Sequence, residues 1–206
     1  MGNTYEFENS SERLETYEWD NSWLDHAGTQ GVPRVMYIGD SISRANWGNI
    51  NALADGKIFF DGFATSKALD NPYFYDSLRL FAAQQMHRSA IVINNGLHGW
   101  HLDDTTEYKE HYENMIRFLL EEFKGTPIML VLTTAVSDME RDARVVVRNN
   151  SVIELAKKYD LPVIDFYSVV SEHRDQISQD GVHLLADGYM LLAELLVNSV
   201  KEYAKI

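Results

Sequence analysis

Three short stretches carry side chains able to do chemistry together. The first is Gly39-Asp40-Ser41, directly behind the apolar run VMYI at 35–38. A serine on the turn from a buried strand into a helix has an open hydroxyl, and its own N–H is one of the unpaired donors of a helix N-terminus. It can serve as a nucleophile whose attack creates an oxyanion, or simply as a helix N-cap. The second stretch is Asp180-Gly-Val-His183, and no other aspartate in the chain has a histidine three residues on. Over one turn of chain the carboxylate reaches Nδ1 and leaves Nε2 as a general base. An isolated pair of this kind is also a common surface contact, so each signal gains weight only from the other. The third stretch, INNGLHGWH at 93–101, gathers two asparagines, two glycines, two histidines and a tryptophan behind another apolar run.

The elements that must position these groups follow from hydrophobic patterning. Val35–Ile38, Ala90–Ile93, Ile128–Leu132 and Pro162–Ile164 are continuous apolar runs, with a weaker one at Lys57–Phe60. Continuous rather than alternating runs are expected of strands covered on both faces. Between them lie helical spacings. Tyr112, Met115, Ile116, Leu119, Leu120 and Phe123 form one face, with Asp103 and Asp104 as cap candidates and Gly125 as the stop. Tyr189, Met190, Leu192, Ala193, Leu196 and Val200 form another. Alternating strands and helices predict an α/β protein, a three-layer α/β/α sandwich about a parallel sheet of roughly five strands. Residues 1–33 stand outside this rhythm as an N-terminal extension packed on the domain 34–206, pinned by Trp19 and Trp23. Ligands bind beyond the carboxyl ends of parallel strands. That edge therefore collects Asp40 and Ser41, the stretch Asp61–Ser66, Asn94–His98, Thr133, Thr134 and Asp138, and finally Asp180 and His183.

IGDSIS, NNGLH and DGVHL, in that order and on those elements, resemble the blocks of the SGNH (GDSL-type) hydrolases over about residues 34–204. The resemblance implies a flavodoxin-like sandwich, ester hydrolysis without a cofactor, Ser41 as nucleophile, His183 as base and Asp180 as its partner. It also implies an oxyanion hole of three donors: the N–H of Ser41, an N–H after the second strand, and an asparagine side chain after the third. Two departures stand out. After the second strand the family glycine has no clean counterpart; Ser66 fits the expected distance, with Gly62 and Thr65 as alternatives. In the third block His98 falls where the asparagine belongs, with Asn95 as the alternative. An imidazole N–H can donate to an oxyanion as a carboxamide does, and one such donor contributes about 3 kcal/mol.

His98 and His101 with Asp103 do not make a zinc motif, because the helical HExxH glutamate is missing. No metal or other cofactor is expected. Asp40, Trp47, Phe63, Trp100 and His101 are candidate substrate contacts, the aromatic ones as walls of an acyl or sugar pocket. Arg44 is read as an ion-pair partner of Asp40, and Arg141, Arg144 and Arg148 as a solvated helix face. The net charge of −13 argues against nucleic acid and anionic membranes as partners. The absence of cysteine excludes thiol catalysis. The opening Met-Gly lacks the Ser or Thr of a myristoylation site, since Glu6 stands there. Without a signal-peptide pattern or a membrane-length apolar run, a soluble, cytoplasmic protein is expected. The expected function is hydrolysis of a small acyl ester, O-acetyl on a carbohydrate or related polyol, through an acyl-enzyme. The alternatives are a thioesterase or lysophospholipase-like hydrolase, and a carbohydrate-binding module that has lost catalysis.

Overall fold

Six strands share one sheet: β1 (Asp20–Trp23), β2 (Arg34–Gly39), β3 (Phe59–Thr65), β4 (Ala90–Ile93), β5 (Ile128–Val131) and β6 (Val163–Ile164). The computed structural model describes residues 13–85, 87–102 and 105–206. Strand order is β1-β3-β2-β4-β5-β6. The last five are parallel, and β1 is added antiparallel on the outer side of β3. Taken alone, the five parallel strands have the 2-1-3-4-5 order of flavodoxin-like sheets, which opens a crevice at the ends of β2 and β4 where the winding reverses.

Residues alternate between the two faces of each strand, so the apolar runs feed two cores. Val35, Tyr37, Val92, Met129 and Val131 face one side with α1 (Ser41–Ala54), α5 (Phe166–Glu172) and α6 (Ala186–Ala204). Met36, Ile38, Ile91, Ile93 and Leu130 face the other with α2 (Phe74–Gln84), α3 (Thr105–Glu122) and α4 (Met139–Tyr159). Gly125 follows α3 with φ +82°, the left-handed conformation that ends the helix. Asp103 and Asp104 lie outside the described residues. Among those described, no helix is long and apolar enough to cross a membrane.

The weak second run is the longest strand. β3 continues through Asp61 and Gly62, which in sequence look like a turn, because each residue has a special partner. The buried Asp61 carboxylate takes a bidentate pair of bonds from Arg34 at 2.8 and 2.7 Å, and a third from Gln85. Such a planar fork suits a carboxylate that must be buried and fully satisfied. Gly62 lies opposite Trp23 of β1, and a Cβ there would run into the indole ring. The extension therefore does more than pack: β1 extends the sheet because Gly62 admits Trp23. Gly62→Ala is expected to lower stability by about 1–3 kcal/mol. In urea unfolding, Gly62→Ala combined with Trp23→Ala should cost less than the sum of the single changes, whereas additive effects would remove the steric explanation.

Candidate active site

Asp40 ends the turn out of β2 and caps α1, its Oδ1 accepting the Ile42 N–H at 2.9 Å. That cap fixes Ser41 as the first helical residue. The N–H of Ser41 finds no acceptor among the described residues. On the far side of the crevice, the loop before α6 carries His183, whose Nε2 lies 2.9 Å from Ser41 Oγ. Its Nδ1 meets Asp180 Oδ2 at 2.8 Å. This bond keeps the proton on Nδ1 and turns the Nε2 lone pair toward the serine hydroxyl, which can donate to it.

Asp180 is itself well held. Burial works against its charge and is the largest single influence on it. Bonds from the N–H groups of Val182 and His183, from the His183 ring and from the Ser178 hydroxyl together outweigh burial, bringing the carboxyl down to about 2. Asp40 moves the other way. Burial raises its pKa, against the opposing effects of His98, the Ile42 N–H and His183. It is a buried cap, 3% exposed, rather than the substrate contact expected from sequence. Ser41 is only 2% exposed, so it is buried instead of standing open at the helix end.

The loop from β4 brings His98 to the same place. It lies close enough to Asp40 to oppose the effect of burial on that carboxyl, ahead of His183. Nδ1 of His98 meets Glu15 Oε1 at 2.7 Å, with the side chains 3% and 7% exposed. The loop backbone is held from below by Arg148, buried in α4. Its guanidinium donates to the carbonyls of Gly96 (3.0 Å), His98 (2.8 Å) and Gly99 (2.7 Å), and it stacks on Trp100 and Tyr108. Arg144 adds a bond to the Trp100 carbonyl and lies over the same indole. The expected solvated arginine face thus holds for neither residue. At Gly99 φ is +67° and a Cβ would sit 2.5 Å from that of Ala68, so the loop must have glycine there.

Other expectations fail for identifiable reasons. The Ser66 N–H is bonded to the Trp19 carbonyl at 3.1 Å, and its hydroxyl to Glu18. Gly62 lies inside β3. Thr65 ends that strand, with its hydroxyl on Asp20 and on the Lys67 N–H. Of the first amides beyond Thr65, that of Ala68 has no acceptor among the described residues. The Asn95 amide group bonds the Lys67 carbonyl at 2.9 Å instead of turning to the serine. Phe63 and Trp100 are buried in the two cores, and Trp47 packs on Trp23. Phe63 and Trp100 are core residues rather than pocket walls. His101 is tied to Asp70 at 3.0 Å, in a different pair from His98, and no three His, Asp or Glu side chains cluster as metal ligands among the described residues. Arg44 lies over Trp19, not on Asp40. Trp19 does reach His98, edge-on with ring centroids 6.0 Å apart.

No protein-family profile matches the sequence, and no curated protein matches it. Solved structures do. A lipase/acylhydrolase from Enterococcus faecalis is 17% identical, with a TM-score of 0.66 over 83% of this chain and 96% of that one. The C-terminal catalytic domain of a peptidoglycan O-acetyltransferase from Streptococcus pneumoniae is 18% identical, also at TM-score 0.66, covering 84% and 96%. An acetylxylan esterase from Geobacillus stearothermophilus is 16% identical at TM-score 0.60, covering 82% and 94%. At such identities the likeness is one of fold, and the fold is that of the SGNH, or GDSL-type, hydrolases.

Arg148 is the support that sequence reading missed. Arg148→Lys keeps the charge but cannot span three carbonyls with a planar fork. It is expected to cost about 2–3 kcal/mol in denaturant unfolding, and Arg148→Met more. A lysine variant as stable as the parent would mean that charge alone holds the loop.

Proposed function

We propose that the protein is a serine esterase that hydrolyses small acyl esters, with O-acetyl groups on a carbohydrate or related polyol as the favoured substrate class. The observation that carries this reading is the unbroken contact series from Ser41 Oγ through His183 to Asp180 at hydrogen-bond distances. In the reaction, Ser41 Oγ attacks the acyl carbon while His183 Nε2 accepts its proton. The tetrahedral oxyanion is received by the N–H of Ser41 at the start of α1, by the N–H of Ala68, and by His98. Collapse expels the alcohol, which takes the proton back from His183. Water, deprotonated by His183, then attacks the acyl-enzyme, releases the acid and restores Ser41.

The burial of Ser41 favours a short acyl group. The choice of acetyl and of a carbohydrate is supported by the neighbours described as acetyl xylan esterases and as a peptidoglycan O-acetyltransferase. A thioesterase or lysophospholipase-like enzyme is the alternative within the same chemistry. A pure binding module is disfavoured because it would have no use for a serine, a histidine and a carboxylate in series.

Rates on p-nitrophenyl acetate, butyrate and octanoate, together with acetate release from acetylated xylan, test this reading. The acetyl esters should be turned over fastest, and Ser41→Ala or His183→Ala should lower kcat by roughly three to six orders of magnitude. A preference for octanoate, or no dependence on Ser41, would contradict it.

The low position of Asp180 fixes the expected acid limb. Its carboxylate, with a folded pKa of about 2, is ionised at any ordinary working pH and loses its charge only as pH falls toward that value. The drop in kcat/KM on acidification should therefore follow one proton, that of the base His183, and not a second from Asp180. A two-proton acid limb above pH 4 would contradict the assignment.

A further inference from the structure

Glu15 and His98 form a buried carboxylate–imidazole pair, 7% and 3% exposed, apart from the more open Asp180 and His183, and the mechanism above gives the carboxylate no role. Its placement is well determined. The Glu15 N–H donates to Glu18 Oε1 at 3.1 Å, and Glu18 accepts from the Ser66 hydroxyl and the Asn71 amide. Arg13 bonds both the carbonyl and the carboxylate of Asp70, and Lys67 pairs with Asp20 at 2.7 Å. Trp19 closes the edge of the His98 ring. Segment 13–23 is thereby fastened along the amides and side chains that follow β3, with one carboxylate directed at the imidazole.

That geometry dictates which form of His98 can donate. A carboxylate on Nδ1 holds the ring's first proton at that atom. A neutral ring then presents a lone pair at Nε2, which repels an oxyanion; only the imidazolium presents an N–H there. Among the described residues, ionisable groups from several elements lie around His98. Glu15 from the N-terminal segment and Asp40 from the β2–α1 turn favour the cation. His183 from the loop before α6 and Arg148 from α4, bonded to the His98 carbonyl, oppose it. The Glu15 carboxylate is in direct contact with its Nδ1.

We propose that Glu15 is a positioning residue of the acyl-transfer site, orienting His98 and holding it as an imidazolium whose Nε2–H faces the oxyanion. The N-terminal segment is then a working part of the site rather than a cover. This rests on the esterase reading for its consequence, but the charge state of His98 is independent of it.

Two readouts test the pair. In the first, kcat and KM for p-nitrophenyl acetate are measured from pH 5 to 10 in the parent, Glu15→Gln, His98→Asn and the double variant. Glutamine can still accept from Nδ1 but lacks the charge. Glu15→Gln should lower kcat by roughly 10- to 100-fold with little change in KM, and move the alkaline limb to lower pH. His98→Asn, whose amide donates without titrating, should abolish that limb, and adding Glu15→Gln should then change kcat little. A uniform loss in Glu15→Gln with the limb unmoved, or an equal loss in the His98→Asn background, would reduce Glu15 to a structural role.

The second readout is the ring nitrogen NMR shifts of His98, assigned by their loss in His98→Asn. A cationic ring at pH 7 in the parent and a neutral one in Glu15→Gln supports the pair, whatever the turnover. A neutral His98 in the parent overturns the proposal even if the enzyme is active. A cationic His98 in a protein that hydrolyses no ester would leave the pair standing and defeat the esterase reading instead.

Discussion

The 2.9 Å contact between Ser41 and His183 joins residues 142 positions apart in the chain. It exists only because β2 and the loop before α6 open onto the same edge of a parallel sheet. Right-handed crossovers return each strand in the same direction, so every carboxyl end contributes a loop to one rim. Ser41 comes from the first of these loops, His98 from the loop after β4, and Asp180 and His183 from the last. The buried cores on both faces stabilise the sheet, and the sheet holds the distances among these side chains. Burial then acts locally and unequally. It raises Asp40 next to Ser41, whereas hydrogen bonds keep Asp180 ionised despite it.

A carboxylate meets an imidazole Nδ1 at two places on the rim. Asp180 reaches His183 within one turn of chain. Glu15 reaches His98 across 83 residues. The second pair needs a rigid loop under the imidazole and a rigid segment over it. Arg148 supplies the first through three carbonyls of the loop. The strand β1 supplies the second, since its antiparallel pairing with β3 fixes the chain just beyond Glu15 and Trp19. The Trp23–Gly62 contact at the sheet edge therefore helps hold the segment that carries Glu15 and Trp19.

Much of this was legible in the sequence. Continuous apolar runs located β2, β4, β5 and β6, because strands covered on both faces leave no polar alternation to misread. The spacing of Asp180 and His183 anticipated their contact, since three residues close a turn by local geometry alone. What escaped was settled by partners distant in sequence. Asp61 and Gly62 look like a turn until Arg34 and Trp23 are seen to meet them. Arg144 and Arg148 have the spacing of a solvated face, and only the fold brings the carbonyls of 96–100 beneath them. Ser66 was a reasonable donor until Trp19 took its N–H. Phe63 and Trp100 are aromatic for core packing, while Trp19, in a segment read as a cover, reaches His98.

The account rests on Ser41 being an activated nucleophile. Intact mass after treatment with a small serine-directed fluorophosphonate, on the parent and on Ser41→Ala, tests that directly. One adduct on the parent and none on the variant is the predicted result. An adduct on both, or none on a parent protein whose fold is intact by circular dichroism, would contradict it.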